Sequence, residues 1–325
     1  MARRDIFFIL LRLLVLIKCV KRGVMLEKIL PEKINKIISE KINFNAVNEI
    51  RIRAEKPISI NIKGRNFFLC ENGITSNYNN SIFASKIMIE DIIFRASECS
   101  IYSVNEQIKR GYIITDKAVR LRLGGNLIEE SGHIKTMTNF CCVNIRIPHI
   151  IKNCSLSAFP YIFRHDEIEN TLVVSPAGAG KTTFLRDFVN QLDERNIPLN
   201  ILLLDERGEL DFGIKSNFVD KIAFSNKKTG FENGIRSLAP DLIVTDELGH
   251  EDDVEAVRFA CTSGVKILAT THCESMENFV KKPMFQTIIK EKLFKRYVFL
   301  SKRNGPGTFE GVYDENFSRI LGLKD

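Results

Sequence analysis

The pattern of apolar and polar positions divides the chain into two parts that meet near residue 150. In the first part, apolar and polar residues alternate in short segments, which is typical of strands with one buried face. These predicted strands cover residues 48–53, 57–62, 66–70, 112–115, 119–123 and 141–147. Helical spacing predicts helices over 25–42 and 83–112, and Gly124 with Gly125 predicts a turn. This mixture indicates an α+β domain over 25–150.

The second part, residues 151–325, has continuous apolar runs separated by helical segments. Such runs predict strands, and their alternation with helical segments indicates a parallel sheet. The predicted strands cover residues 172–174, 201–204, 242–245 and 265–273. A helix is predicted over 182–192, and the polar stretch 217–233 is predicted to be a loop. The expected fold class is therefore α/β with a mostly parallel sheet, preceded by the smaller α+β domain.

A glycine-rich loop after the first of these runs carries the strongest functional signal. Residues 172–183 read LVVSPAGAGKTT, the pattern of a phosphate-binding loop except that Ser175 stands where the first glycine belongs. Inward-turned backbone amides would bind the phosphates of ATP, and Lys181 would neutralise their charge. The predicted nucleotide-binding residues are Ser175, Pro176, Ala177, Gly178, Ala179, Gly180, Lys181, Thr182 and Thr183. A chance glycine-rich turn is the weaker alternative, because strand, loop and helix agree.

Acidic residues follow two other apolar runs, and parallel sheets gather ligands at the carboxyl ends of their strands. Asp246 and Glu247 follow one run, and Glu206 follows another. Because Mg²⁺ prefers oxygen ligands, Thr182 and Asp246 are predicted to hold it. A glutamate would activate the attacking water, and Glu247, beside the metal acid, is slightly preferred over Glu206. The predicted catalytic residues are these two glutamates and Lys181.

The run at 265–269 also ends in polar residues, among them Thr271 and His272. A lone histidine is more often a hydrogen-bonded core residue than a ligand. This histidine lies at a strand end with polar neighbours, on the edge where the nucleotide is expected. Thr271 and His272 are therefore predicted to sense the γ-phosphate, and a core role for the histidine is an equal alternative.

Four arginines of the first part lie in pairs on predicted strands. Arg51 and Arg53 share one strand face, and so do Arg120 and Arg122. A solvated sheet face is the simpler and preferred explanation. The alternative is that one or more of them act as arginine fingers, which stabilise negative charge on a phosphate in the transition state.

Composition fits a globular protein and limits the choice of partners. The 325 residues are 44% hydrophobic and 27% charged, which is ordinary for a chain with two cores. The net charge of +7 is spread along the chain without a basic, aromatic-interleaved stripe, so nucleic acid is not an expected partner. The eight cysteines form no C-x-x-C pair, so neither a zinc site nor a disulfide framework is expected.

Residues 1–24 form an extension with three open interpretations. Residues 6–17 are apolar except for Arg12, and this run is too short to span a bilayer. The extension is a helix on a membrane surface, a helix packed on the body of the protein, or an upstream stretch from a misplaced start codon. The last is preferred, because an amphipathic pattern begins at Met25.

Taken together, these motifs resemble the stage III sporulation protein AA family of endospore-forming bacteria. The resemblance rests on EIRIR at 49–53, NEQIKRGY at 105–112, NIRI at 144–147, the phosphate loop followed by LRD at 185–187, DER at 205–207 and TDE at 245–247. It begins near residue 25. The sequence departs from the family at Ala177, where proline is common, and at Gly208, where serine is common.

This family is similar to the type II and type IV secretion ATPases, which are RecA-like ring ATPases and commonly hexameric. The resemblance therefore implies a RecA-like ATPase domain over 151–325, a homo-oligomeric ring, and ATP with Mg²⁺ as cofactors. It also implies a cytoplasmic mother-cell location at the membrane face, channel proteins in that membrane as partners, and no small-molecule substrate besides ATP. The alternatives are a secretion or pilus motor outside sporulation, a nucleotide-gated scaffold with little turnover, and a DNA-dependent ATPase.

Overall fold

The structure, a computed structural model, describes residues 26–115, 119–206, 208–223 and 225–322. The chain forms two compact units, Met1–His149 and Ile150–Asp325. The predicted extension over 1–24 lies outside the described residues, as does Arg207. In the described part of the chain, no helix combines the length and the apolar character that are needed to cross a membrane.

The first unit is built around one antiparallel sheet. Its strands are β1 Val47–Arg53, β2 Ser59–Ile62, β3 Arg65–Cys70, β4 Gly73–Thr75, β5 Tyr112–Ile114, β6 Arg120–Glu130 and β7 His133–Arg146. They are ordered β4-β3-β2-β1-β7-β6-β5. The helices that accompany the sheet are α1 Glu32–Lys41, α2 Lys86–Ala96 and α3 Asn105–Lys109, with 3₁₀ turns at Phe44–Ala46, Tyr78–Asn80 and Ile101–Val104.

Alternation places the apolar residues of this sheet on one face. On β1, Ile50 and Ile52 are fully buried, whereas Arg51 and Arg53 are exposed. The same period-two pattern predicts the strands of this part from the sequence, and the structure confirms their positions, with β6 and β7 longer than expected.

The helix predicted over 83–112 is wrong as one element, because it is divided into shorter pieces. Helix α2 ends at Ala96, and Glu98 and Cys99 then adopt left-handed φ angles of 52° and 62°. Residues in this conformation cannot continue a right-handed helix, so the chain turns and restarts before it enters β5. Apolar spacing alone does not reveal such a break, because apolar positions resume in the next helical piece.

The turn predicted at Gly124 and Gly125 is also wrong, since both glycines lie inside strand β6. The register of β6 against β7 shifts just after Gly124, which marks a β-bulge. A Cβ atom on Gly125 would come within 2.6 Å of the Thr138 carbonyl oxygen, so the two backbones approach too closely for a side chain. The chain reverses instead at Gly132, whose φ is 77°.

The second unit combines a large sheet with a short hairpin. Its strands are β8 Phe163–Arg164, β9 Glu167–Ile168, β10 Thr171–Ser175, β11 Ile201–Asp205, β12 Val219–Ala223, β13 Leu242–Thr245, β14 Lys266–His272, β15 Arg296–Ser301, β16 Thr308–Asp314 and β17 Arg319–Gly322. Its helices are α4 Phe159–Ile162, α5 Lys181–Glu194, α6 Lys227–Leu238, α7 Glu251–Thr262, α8 Met276–Lys281 and α9 Gln286–Lys290, with a 3₁₀ turn at Pro283–Phe285.

The large sheet has the order β12-β11-β13-β14-β10-β15-β16-β17, and the pairs from β12 through β15 are parallel. The sheet has a hydrophobic core on each face, and neighbouring residues of one strand pack into opposite cores. Leu172 packs on the side of α6 and α7, and Val173 packs on the side of α5. Because both faces are covered, these strands need apolar residues at every position, which explains the continuous runs. The α/β prediction with a mostly parallel sheet is confirmed.

The loop predicted over 217–233 is wrong, because most of it forms strand β12 and the first half of helix α6. Strand β12 lies at the edge of the sheet and carries exposed charged residues, so its sequence does not resemble a buried strand. Helix α6 starts at Asn226, whose side chain accepts a hydrogen bond from Thr229 N (2.9 Å). A Cβ atom on Gly234 would lie 2.2 Å from Leu202 Cδ2, so this glycine lets the helix approach the sheet.

Candidate functional site

The predicted phosphate loop lies between strand β10 and helix α5, at the carboxyl edge of the parallel strands. All residues of β10 are buried, and α5 begins at Lys181 directly after the loop. Gly178 and Gly180 have φ angles of 70° and 90°, a conformation that favours glycine. Phe184 N donates to the Gly180 carbonyl (2.9 Å), which fixes the start of the helix. The loop therefore has the strand–loop–helix geometry that phosphate binding requires.

Ser175, at the first position of the loop, is fully buried at the end of β10. Its hydroxyl donates to the Pro176 carbonyl (3.2 Å). Its own carbonyl accepts hydrogen bonds from Cys273 N (3.1 Å) and Lys181 Nζ (3.4 Å). The backbone of Ser175 lies outside the left-handed region, so a residue with a side chain fits where glycine is usual.

A buried lysine joins two of the predicted site acids. Lys227 Nζ lies 2.8 Å from Glu206 Oε2 and 3.9 Å from Asp246 Oδ1. The lysine side chain is only 4% exposed, compared with 15% for Asp246 and 45% for Glu206. A buried ammonium group needs negative charge nearby, so the three side chains form one electrostatic cluster in which Glu206 is held by a direct hydrogen bond.

Lys227 was not predicted from the sequence, because its segment was assigned to a loop. A signal was nevertheless present, since Asn226 is a favoured N-cap residue and α6 begins directly after it. The positive end of the helix dipole disfavours a lysine in the first turn. The carboxylates of Glu206 and Asp246 offset this repulsion, which gives the unusual position a local electrostatic reason.

Asp205, the last residue of β11, closes a turn and does not join this cluster. Its carboxylate accepts hydrogen bonds from Glu209 N (2.9 Å) and Leu210 N (2.6 Å). Burial raises the pKa of Asp205, and the two hydrogen bonds oppose this rise only in part. By fixing the turn after β11, Asp205 determines where Glu206 leaves the strand and reaches Lys227.

The predicted sensor residues lie at the end of β14, the strand next to β10. His272 pairs in register with Ser175. Thr271 is 1% exposed, and its hydroxyl donates to the Leu248 carbonyl (2.9 Å), just after Glu247. Thr271 therefore supports the chain that follows the second candidate glutamate, and a sensor role for Thr271 and His272 stays a prediction.

In the first unit, the arginines lie on one face of the central strands. The register places Arg51 and Arg122 on either side of Asn144, which lies on the strand between them. This arginine face consists of Arg51, Arg53, Arg120, Arg122 and Arg146. All of them are exposed except Arg120, which is half-buried with its guanidinium 4.4 Å from the centre of the Tyr112 ring.

Glu49 offsets part of the charge on the arginine face. It forms an ion pair with Arg51. Burial acts to raise the pKa of Glu49, but hydrogen bonds from Arg51 and Asn144 together with arginine charge outweigh it, so the pKa is lowered. Five arginines outnumber this one carboxylate on the face, which is therefore a positive surface suited to phosphate or carboxylate groups.

Magnesium fits the second unit as part of a nucleotide complex. Among the described residues, no three His, Cys, Asp or Glu side chains form a group that could hold a metal ion. Mg²⁺ in nucleotide sites commonly has one or two protein ligands and takes further oxygens from phosphate and water. The carboxylate of Asp246 and the hydroxyl of Thr182 are the oxygen groups of this site that could serve as such ligands.

Comparison with known proteins gives one family and a shared fold. Residues 20–320 match the family described as "Sporulation stage III, protein AA". The stage III sporulation protein AA of Bacillus subtilis is 29% identical over 294 residues, which cover 86% of this chain and 91% of that protein.

Two solved structures resemble the chain over most of its length. The pilus retraction motor PilT with bound ADP has a TM-score of 0.59 at 15% identity, with 83% of this chain and 78% of that one covered. The Legionella pneumophila ATPase DotB has a TM-score of 0.54 at 16% identity, with coverage of 83% and 77%. These likenesses show that the chain shares the fold of the secretion and pilus ATPases, so the predicted RecA-like fold class is confirmed.

Proposed function

The chain belongs to the sporulation stage III protein AA family, and from this premise we propose that it is a Mg²⁺-dependent ATPase. The observation that carries the proposal is the position of the phosphate loop and the Glu206–Lys227–Asp246 cluster along one sheet edge. Strand β10 precedes the phosphate loop and strand β13 precedes Asp246, and a single strand, β14, lies between them in the sheet. Neighbouring strands are about 4.8 Å apart, so these strands lie about 10 Å from each other, a gap that a triphosphate with its metal can bridge.

The phosphate loop binds the β- and γ-phosphates through the backbone N–H groups of residues 177–182. Lys181 neutralises phosphate charge, and the N-terminus of α5 adds the positive end of its dipole. Mg²⁺, held by Thr182 and Asp246, would neutralise charge that develops on the phosphates. These groups orient the γ-phosphate for attack by water.

We assign the role of general base to Glu206 and keep Glu247 as the alternative. A base must be held in a defined position to orient water, and Lys227 fixes the carboxylate of Glu206 at 2.8 Å. Glu247 is followed by Leu248, whose amide donates to the Thr270 carbonyl (2.6 Å). That bond fixes the backbone near Glu247, and the assignment to Glu206 rests on the direct contact of its carboxylate with Lys227.

The wider role of the ATPase rests on the family relation and on the arginine face. An arginine finger acts when its guanidinium reaches a bound phosphate. In a ring, the arginine of one subunit can reach a nucleotide that is bound to the next. We propose a homo-oligomeric ring, with six subunits as the expected number, at the cytoplasmic membrane face of the mother cell. Its partners would be membrane-embedded channel proteins, and hydrolysis would drive or assemble the channel between mother cell and forespore through movement of the two units.

Steady-state ATP turnover tests this proposal. Wild type, Lys181→Ala and the control Lys152→Ala, which removes an exposed lysine paired with Glu194, are compared over a range of protein concentrations. We expect turnover that rises with concentration, falls at least about a hundredfold in Lys181→Ala and is unchanged in the control. ATP binding without turnover at any concentration would indicate the scaffold, and stimulation by DNA would indicate a DNA-dependent ATPase.

A further inference from the structure

A tight hairpin connects β15 to β16 and presents a lysine at a fixed place. Gly305 N donates to the Lys302 carbonyl (3.0 Å), and Asn304 N donates to Thr308 Oγ1 (3.1 Å). The Thr308 hydroxyl in turn donates to the Gly305 carbonyl (2.7 Å). These bonds define the backbone of residues 301–308, here called the 301–308 hairpin, so the Cα position of Lys302 is set by the fold.

The 301–308 hairpin packs directly on the phosphate loop. Gly307 N donates to the Ala179 carbonyl (3.1 Å), and a Cβ atom on Gly180 would lie 3.5 Å from the Gly307 backbone. Lys302 Nζ lies 3.6 Å from the position that a Cβ atom on Gly178 would take. An ammonium group therefore lies against the middle of the loop, in addition to Lys181 at its end.

Lys302 differs from its neighbour Arg303 in its ion pairing. Arg303 is paired with Glu310 at 3.0 Å, whereas no carboxylate of the described residues lies within ion-pair distance of Lys302. The helix dipole of α5 and the side chain of Lys181 already make this region positive. An exposed ammonium group in such a place is repelled by the positive charge around it, and an anion bound beside it would offset this repulsion.

We propose that Lys302 is a second phosphate-contacting residue, which binds the polyphosphate of the nucleotide together with Lys181. This inference rests on the proposed ATPase function and adds a residue that no motif of the loop includes. Three observations carry it: the fixed hairpin, its packing on the loop, and the ammonium group beside Gly178. The hairpin also makes the binding of phosphate sensitive to the position of strands β15 and β16.

Equilibrium binding of ATP with Mg²⁺ to the full chain tests the role of Lys302. The variants are Lys302→Ala, Lys302→Arg, Lys181→Ala and the control Lys295→Ala. Lys295 precedes the other end of β15, about 20 Å away along the strand, and its loss changes the net charge equally. Inorganic tripolyphosphate, used as a competitor, reports on the phosphates alone.

We expect Lys302→Ala to raise the Kd of ATP and of tripolyphosphate by about tenfold. Lys302→Arg should stay within about threefold of wild type because it keeps the charge, and Lys295→Ala should not differ from wild type. An unchanged Kd in Lys302→Ala, with binding lost in Lys181→Ala, would contradict the proposed role of Lys302 and leave the proposed ATPase function intact. A loss for ATP without a loss for tripolyphosphate would also contradict it, whereas no ATP binding by wild type would overturn the proposed function itself.

Discussion

The two sheets of this protein present polar groups in different places. The antiparallel sheet of the first unit has one buried face and one open face, so five arginines lie in rows on the open one. The parallel strands of the second unit are covered on both faces, so their polar groups lie at strand ends and in the loops that follow. Strand direction and coverage thus decide where each unit can place a ligand.

This difference predicts different responses to substitution. An arginine on an open face contributes little to folding, because its side chain is solvated, so its replacement should change activity more than stability. In the second unit, Asp187, Asp205 and Thr271 are buried and hydrogen-bonded to backbone groups, so replacement of such side chains should also change stability. The following variants test or sharpen this contrast.

The largest effect is expected for Arg122→Ala on the arginine face. If this arginine acts as a finger, turnover should fall about a thousandfold while the Kd of ATP and the thermal stability stay close to wild type. Arg95→Ala, which removes an exposed arginine paired with Asp91, is the control and should leave turnover unchanged. Wild-type turnover in Arg122→Ala would favour the simpler interpretation of a solvated face at this position.

Asp187 in helix α5 is the matching case in the second unit. It is 3% exposed and accepts hydrogen bonds from Asn153 N (2.8 Å), Ser155 N (2.8 Å) and the Ser155 hydroxyl (2.6 Å). Asp187→Ala leaves these donors without their acceptor, so the free energy of unfolding should fall by about 3 kcal/mol. Glu194→Ala, on the surface of the same helix, should change it by less than about 0.5 kcal/mol in denaturant titrations.

Gly125→Ala tests the close approach of β6 and β7 in the first unit. The added methyl group would meet the Thr138 carbonyl at 2.6 Å, so the strands must separate, and we expect a loss of about 2 kcal/mol. Gly249→Ala is the control, because its Cβ atom would meet nothing within 4 Å. Equal melting temperatures for the two variants would show that the bulge tolerates a side chain.

The smallest effect is expected for Glu49→Gln, and it should depend on pH. The folded-state pKa of Glu49 is below its ordinary value of 4.5, so its contribution to stability is present above pH 4.5 and is lost as pH falls through the folded pKa. Wild type should therefore melt at a higher temperature than Glu49→Gln at pH 7, and the difference should shrink below pH 4. A difference that is constant between pH 3 and pH 7 would contradict this assignment.

Local patterns predicted much of the fold. The phosphate loop, the apolar strands around it and the α/β class follow from short-range rules, because parallel strands covered on both faces require continuous apolar runs. The wrong predictions concern elements whose structure depends on residues far away in the sequence. Gly125 lies in a strand because another backbone approaches it, and β12 forms an edge strand although its exposed residues are polar.

The candidate site shows the same division between local and distant information. Lys181 and Asp246 are marked by motifs of neighbouring residues. Lys227 and Lys302 reach the same sheet edge from segments that carry no such motif, and only the folded chain shows their distances to Glu206 and Gly178. A sequence pattern can mark the helix that begins at Lys227, but only the folded chain shows which acids that lysine contacts.

The most direct test of the account is a comparison of Glu206→Gln and Glu247→Gln in ATP binding and turnover. The account predicts that Glu206→Gln keeps ATP affinity within about threefold of wild type and loses at least about a hundredfold in turnover, with a smaller loss in Glu247→Gln. If Glu247→Gln instead abolishes turnover while Glu206→Gln remains active, the carboxylate held by Lys227 is not the base, and the central assignment is contradicted.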